Sequence, residues 1–163
     1  MKSNQGFHTV RGYHILNAER RNLTPSLEDY LEMIYRVCQD EGYVRINQLA
    51  KQLHVRASSA TKVVQKLKEL GLVEYEKYGI IQMSAQGAEV GKYLLERHEI
   101  VHAFLSNLGV EDGLLQDTEL IEHDISENTL AYLALFNQFL AEHPEVKTLY
   151  DQYRQLKIKS DLI

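Results

Sequence analysis

The sequence predicts a mainly α-helical chain in which one short β-hairpin interrupts a series of amphipathic helices. Three observations predict it. Apolar residues recur at three- and four-residue spacing, the helical period, through most of the 163 positions. Only residues 72–83 combine β-favouring, alternating side chains with a central turn pair, Tyr78 and Gly79. The residues that start or stop helices fall between the periodic segments: Thr24 and Pro25, Gly42, Gly109, Ser126, and His143 with Pro144.

Thr24, Pro25 and Ser26 provide a cap and a fixed proline φ, so the first helix begins near Leu27 and runs to about Asp40. Glu41 and Gly42 end it. Ile46, Leu49, Ala50 and Leu53 form the apolar side of a short second helix, and His54, Val55 and Arg56 connect it tightly to a third. That third helix opens with Ser58, Ser59 and Thr61 and directs Val63, Val64, Leu67 and Leu70 to the core. Its other side carries Arg56, Lys62, Gln65, Lys66 and Lys68. Residues 72–77 and 80–83 then pair as the hairpin. Helix, helix, basic helix and hairpin in this order make a winged helix-turn-helix.

Beyond Ser84 and Gly87 a long helix runs to about Asn107, with Val90, Leu94, Val101, Leu105 and Leu108 on one stripe. An acidic helix follows over 117–125, with Leu114, Thr118, Ile121 and Ile125 as its apolar side and its acids facing away. Ser126 caps the next helix, whose Leu130, Tyr132, Leu133, Leu135, Phe136, Phe139 and Leu140 are apolar almost all round. Such a helix must be covered, and a second copy of the chain is the expected cover. A last helix spans 146–156.

The single cysteine, Cys38, excludes an internal disulfide and lies on the stripe of Leu27, Leu31 and Ile34, which reads as a core thiol in a reducing cytoplasm. Neither a signal peptide nor a membrane span is legible. The net charge of −5 conceals a sharp polarity. Residues 45–70 hold six basic residues (Arg45, Lys51, Arg56, Lys62, Lys66, Lys68) against Glu69 alone, whereas residues 111–127 hold seven acids and no Lys or Arg. One module is thus suited to phosphates and the other to cations. The candidate DNA contacts are Arg56, Ser58, Ser59, Thr61, Lys62, Gln65 and Lys66, with Lys77 and Tyr78 at the hairpin tip.

The candidate metal ligands are Asp29 and Glu32 on the first helix, His98 on the long helix, and Glu119, Glu122 and His123 on the acidic one. Spacings of three and four residues put Asp29 with Glu32, and Glu119 with Glu122 and His123, on shared faces. Carboxylates with a few imidazoles suit a hard divalent ion such as Mn(II). The same spacings also describe a solvated acidic face, and a histidine at the edge of an apolar stripe is often a hydrogen-bonded core residue. His98, Glu99 and His102 meanwhile spell H-E-x-x-H, the zinc metallopeptidase signature. Against that enzyme reading, the motif follows a winged-helix pattern and the residues after it read as helices without a substrate-holding strand. A winged-helix regulator that senses an organic ligand is the other competing class.

Taken together, the segments 24–35 (TPSLEDYLEMIY), 58–67 (SSATKVVQKL), 75–78 (YEKY), 97–99 (RHE) and 121–123 (IEH) resemble the diphtheria toxin repressor family of metal-dependent repressors, in its manganese transport regulator branch. The resemblance covers about 24–156. It implies that Asp29, Glu32, His98, Glu119, Glu122 and His123 hold two manganese ions per subunit, with Glu32 and Glu122 as bridges. In the iron-responsive branch the positions matched by Asp29 and Glu119 are methionine and cysteine, so carboxylates here mark a shift towards manganese. Three features depart from the relatives: residues 1–23 are an extension, the hairpin at Tyr78 and Gly79 is one residue shorter, and His102 is either an ancillary ligand or part of a solvated helix face, the commoner case.

The expectation is an extension (1–23), a winged helix-turn-helix DNA-binding domain (24–84) and a helical metal-binding and dimerisation domain (85–163). The implied function is a cytoplasmic homodimer, not an enzyme, that binds a palindromic DNA operator with manganese and represses manganese uptake genes. It has no membrane partner and no small organic substrate.

Overall fold

A computed structural model describes residues 23–161, without the side chains of Lys77 and residues 158–161. The extension expected at 1–23 lies outside the described residues, Leu23 excepted. The chain divides into two compact units, the second beginning at Glu96. Among the described residues no helix is long and apolar enough to cross a membrane.

In the first unit α1 spans Pro25–Glu41. Thr24 caps it, its hydroxyl accepting from Leu27 N at 3.4 Å, and Pro25 occupies the first turn, where no N–H is needed. Gly42 ends it at φ 76°, a left-handed conformation that lets its N–H reach the Cys38 carbonyl at 2.9 Å. Strand β1 (Val44–Arg45), α2 (Ile46–Gln52), α3 (Ala57–Glu69), β2 (Val73–Tyr75), a 3-10 turn (Lys77–Gly79) and β3 (Ile80–Met83) follow. Leu31, Ile34, Leu49, Val64, Leu67 and Ile81 are fully buried and make the centre of this unit's core. Cys38 is half-buried, and burial raises its thiol pKa.

The expected hairpin is part of a three-stranded sheet. The order is β1-β3-β2, both pairings antiparallel, with Arg45 opposite Ile80 and Tyr75 opposite Ile81. A strand of two residues has no period to detect, so β1 is not visible before folding. The turn is tight because Tyr78 and Gly79 both take positive φ, 69° and 74°.

Helix α4 (Ala85–Leu108) starts on Ser84, whose hydroxyl donates to Gly71 O at 2.7 Å and accepts from Gly87 N at 2.9 Å. Gly87 belongs there for a steric reason. A Cβ at that position would lie 1.7 Å from the Leu72 carbonyl oxygen, so only glycine allows the helix so near the end of the loop.

The second unit holds the C-terminal part of α4, then α5 (Leu114–Glu122), α6 (Glu127–Glu142) and α7 (Pro144–Asp161). Ser126 caps α6 as expected, accepting from Thr129 N at 3.2 Å. Asn137 ties α6 to α4 by donating to Ile100 O at 2.9 Å and accepting from Asn107 Nδ2 at 3.1 Å. From α7, Tyr150 donates to Leu108 O at 3.1 Å and Arg154 to Gly109 O at 2.6 Å, satisfying carbonyls that the end of α4 leaves open. Along α6, Tyr132, Leu135, Phe136 and Phe139 remain 41–64% exposed, whereas Leu130 and Leu140 are buried.

Helix α5 differs from its sequence reading in extent and in orientation. It begins at Leu114, because Gly113 at φ 74° starts the helix and Asp117 N bonds back to Gly113 O at 2.8 Å. Its buried side is Thr118 with Glu122, at 0% and 2% exposure, while Ile121 is 39% exposed. The expectation that the acids face away from the apolar side is therefore wrong for Glu122. Thr118 can be buried because its hydroxyl donates to Leu114 O at 2.7 Å.

Candidate metal centre and nucleic-acid interface

The second unit gathers three of the expected ligands. Glu122 is 2% exposed, its Oε2 lies 2.8 Å from His98 Nδ1, and its Oε1 lies 4.0 Å from His123 Nε2. Helix α4 supplies His98, the last turn of α5 supplies Glu122, and the residue that caps α5 is His123. A carboxylate withdrawn from water in this way needs positive charge or strong donors beside it. Two imidazoles and a carboxylate, with no sulfur, are a donor set for a borderline-to-hard divalent cation. Glu119 lies one turn earlier on α5 and is exposed.

Arg97 is the residue the sequence reading overlooked here. Its side chain is completely buried, and its terminal nitrogen lies 3.5 Å from His123 Nδ1. Position 97 falls between Leu94 and Val101 on the apolar stripe of α4, so an arginine among buried positions was the available signal. The guanidinium places a permanent positive charge against the ring of His123.

In the first unit Asp29 and Glu32 lie one turn apart on α1. Asp29 is exposed. Glu32 is 8% exposed and accepts two hydrogen bonds from Arg36, from Nε at 2.9 Å and from a terminal nitrogen at 2.5 Å. An ion pair one turn on gives this buried carboxylate two charge-assisted hydrogen bonds. The buried Glu28, at 6% exposure, was not singled out from the sequence.

The rings of His98 and His102 stack with centroids 6.1 Å apart, as residues one helical turn apart do. Glu99, which would activate water in a peptidase, is exposed.

The basic face of α3 is built as the sequence indicates. Ala60, Val64 and Leu67 are buried, which turns Ser58, Ser59, Lys62, Gln65 and Lys66 to solvent together with Arg56 at the cap position. Val63 and Leu70, expected in the core, are only half-buried. Thr61 is also half-buried, and its hydroxyl donates to Ala57 O at 2.8 Å. Lys66 pairs with Glu69 at 3.1 Å, an exposed contact that contributes little. Lys68 is occupied otherwise, donating to Tyr75 O at 3.1 Å and so joining α3 to the wing. At the wing tip Tyr78 is 90% exposed, and the Lys77 side chain lies outside the described residues.

Comparison with known proteins bears directly on these two surfaces. Residues 22–81 match the family model for the iron dependent repressor N-terminal DNA binding domain, and residues 84–150 match the model for its metal binding and dimerisation domain. The transcriptional regulator MntR of Listeria monocytogenes is 42% identical over 128 residues, covering 77% of this chain and 90% of that protein. The MntR regulator of Shouchella clausii is 37% identical over 139 residues, covering 85% of this chain and 95% of that protein. Among solved structures, the manganese regulator SloR superposes with a TM-score of 0.63 at 27% identity, covering 72% of this chain and 55% of that one. The match to a repressor DNA binding domain and the relatives named as transcriptional regulators make the chain a regulator and not an enzyme, so the H-E-x-x-H run is not a peptidase site. With a DNA-binding domain, a metal-binding and dimerisation domain, and relatives matched over most of their length, the chain belongs to the iron-dependent repressor family of metal-binding, dimeric transcriptional regulators.

Proposed function

We propose that the metal is manganese, bound as two ions per subunit by Asp29, Glu32, His98, Glu119, Glu122 and His123, and that the loaded dimer represses manganese uptake genes in the cytoplasm. The observation that carries this reading is the Glu122 carboxylate, 2% exposed and held 2.8 Å from His98. The lack of sulfur in the donor set supports manganese over thiophilic metals. So does the likeness to a structure described as a manganese regulator.

On this reading the chain divides at 84/85, with Asp29 and Glu32 given by the DNA-binding domain and the other four ligands by the dimerisation domain. The bound ions supply positive charge that offsets the mutual repulsion of the carboxylates. The ligands of the two domains then favour one relative orientation of the reading heads, and a two-fold dimer reads a palindrome. Metal need not create a new fold. A coupling of about 1–3 kcal/mol changes DNA affinity roughly 5–150-fold.

The test is DNA binding across Mn(II), Fe(II), Co(II) and Zn(II) at fixed ionic strength, because salt alone shifts such affinities by orders of magnitude. Strongest stimulation by Mn(II), saturating at two bound ions per subunit, is expected. Equal binding with and without every metal would refute the proposal.

The dimer face we assign to α6, where Tyr132, Leu135, Phe136 and Phe139 form an exposed apolar stripe. Phe136→Asp should raise the dimer dissociation constant by about 2 kcal/mol or more, roughly 30-fold, read by sedimentation equilibrium. An unchanged dimer would place the interface elsewhere.

A further inference from the structure

We infer that Arg45, oriented by Tyr43, is a DNA phosphate contact at the root of the wing. The inference deepens the reading of the first unit as the DNA-binding domain and rests on it. Three observations meet at this residue. Strand β1 places Arg45 directly opposite Ile80, the first residue after the wing turn. The turn itself leans on the neighbouring residue, since a Cβ at Gly79 would lie 2.8 Å from Ile46 Cγ2. The Arg45 guanidinium stands 5.9 Å from the centroid of the Tyr43 ring, within cation–π range.

Both side chains are exposed, Tyr43 at 37%, yet neither is idle. An unsupported surface arginine samples many rotamers and loses that freedom on binding. A ring beneath the guanidinium removes part of this cost and leaves the planar donor fork available to phosphate oxygens. The wing tip adds Tyr78, 90% exposed, within the same turn. The pairing of β1 with β3 thus turns a residue from the start of α2 into part of the wing's contact surface. Tyr43 is the positioning residue, and Arg45 touches the ligand.

Phosphate contacts are independent of sequence, so a labelled mixed-sequence 30-base-pair duplex is the probe, titrated with the full Mn(II)-loaded chain at several NaCl concentrations. Each lost phosphate contact makes the slope of log K against log[salt] shallower by about 0.9, about eightfold in affinity at 0.1 M salt, and a dimer with both heads on the duplex loses two, a slope change of about 1.8 and about 60-fold in affinity. Arg45→Gln should show both changes, and Arg45→Lys should keep the wild-type slope. Tyr43→Phe, which retains a ring, should bind as wild type. Tyr43→Leu should bind about two- to fivefold more weakly for each subunit engaged, at an unchanged slope, because the charge persists and only its support is lost. Thermal melting of each variant confirms folding independently of DNA.

If Arg45→Gln keeps the wild-type slope while Lys62→Gln loses its increment, the assignment of Arg45 is overturned and the regulator reading stands. If the wild-type chain itself shows no salt-dependent binding to the duplex, the DNA-binding reading fails, and this inference with it.

Discussion

Glu122→Gln is expected to weaken Mn(II) binding by more than about 100-fold and to abolish metal-stimulated DNA binding. Loss of a mere supporting partner of a ligand costs 10–100-fold, and Glu122 is proposed as a ligand itself. The amide has nearly the volume of the carboxylate and can still meet His98 Nδ1, now 2.8 Å away, so the metal-free fold should melt within a few degrees of wild type. Isothermal titration with Mn(II) and a thermal melt without metal, made on the same preparation, separate the two effects. A Glu122→Gln protein that binds manganese and DNA as the wild type does would remove the central ligand from the proposal. Arg97 offers a contrast: buried and against His123, it should affect metal-free stability as well as metal affinity when replaced.

Charge reversal on the reading helix is the second large effect. Lys62 and Lys66 lie one turn apart on the solvent side of α3, opposite Ala60, Val64 and Leu67. Removing two phosphate contacts per subunit, four in the dimer, alone costs about 4,000-fold at 0.1 M salt, and the slope becomes shallower by about 3.6. Lys62→Glu combined with Lys66→Glu adds repulsion from the DNA backbone, so binding to any duplex should fall by more than that. Mn(II) affinity measured without DNA should be unchanged. The Lys66 to Glu69 pair is exposed, so its loss should barely alter stability. Wild-type DNA affinity in the double variant would mean that α3 is not the helix that meets the backbone.

These predictions combine parts that differed in how readable they were. The helices were legible because their apolar residues repeat at the helical period over long stretches, and the caps at Thr24 and Ser126 behave as their chemistry requires. The exposed face of α3 was legible for the same reason, since placing three residues in the core settles where the lysines point. Helix α5 was less so. Its four apolar positions keep the helical spacing, but the helix ends at Glu122, before Ile125, and burial chose Thr118 and Glu122 over Ile121 once the threonine had a backbone acceptor. Strand β1, and with it the place of Arg45 beside the wing, depends on a pairing of Arg45 with Ile80, thirty-five residues away, for which two residues carry no local signal.

What the linear chain determined by itself is therefore chemical and periodic: a basic stretch, an acidic stretch rich in oxygen donors, a wing, and a helix too apolar to remain uncovered. Those properties belong to side chains and their spacing, and folding does not alter them. Tertiary structure alone decided which of the many carboxylates lose their water, that an arginine lies buried against His123, and that a third strand brings Arg45 to the wing. Desolvation and long-range pairing depend on residues distant in sequence, and their energies exist only once those residues have met.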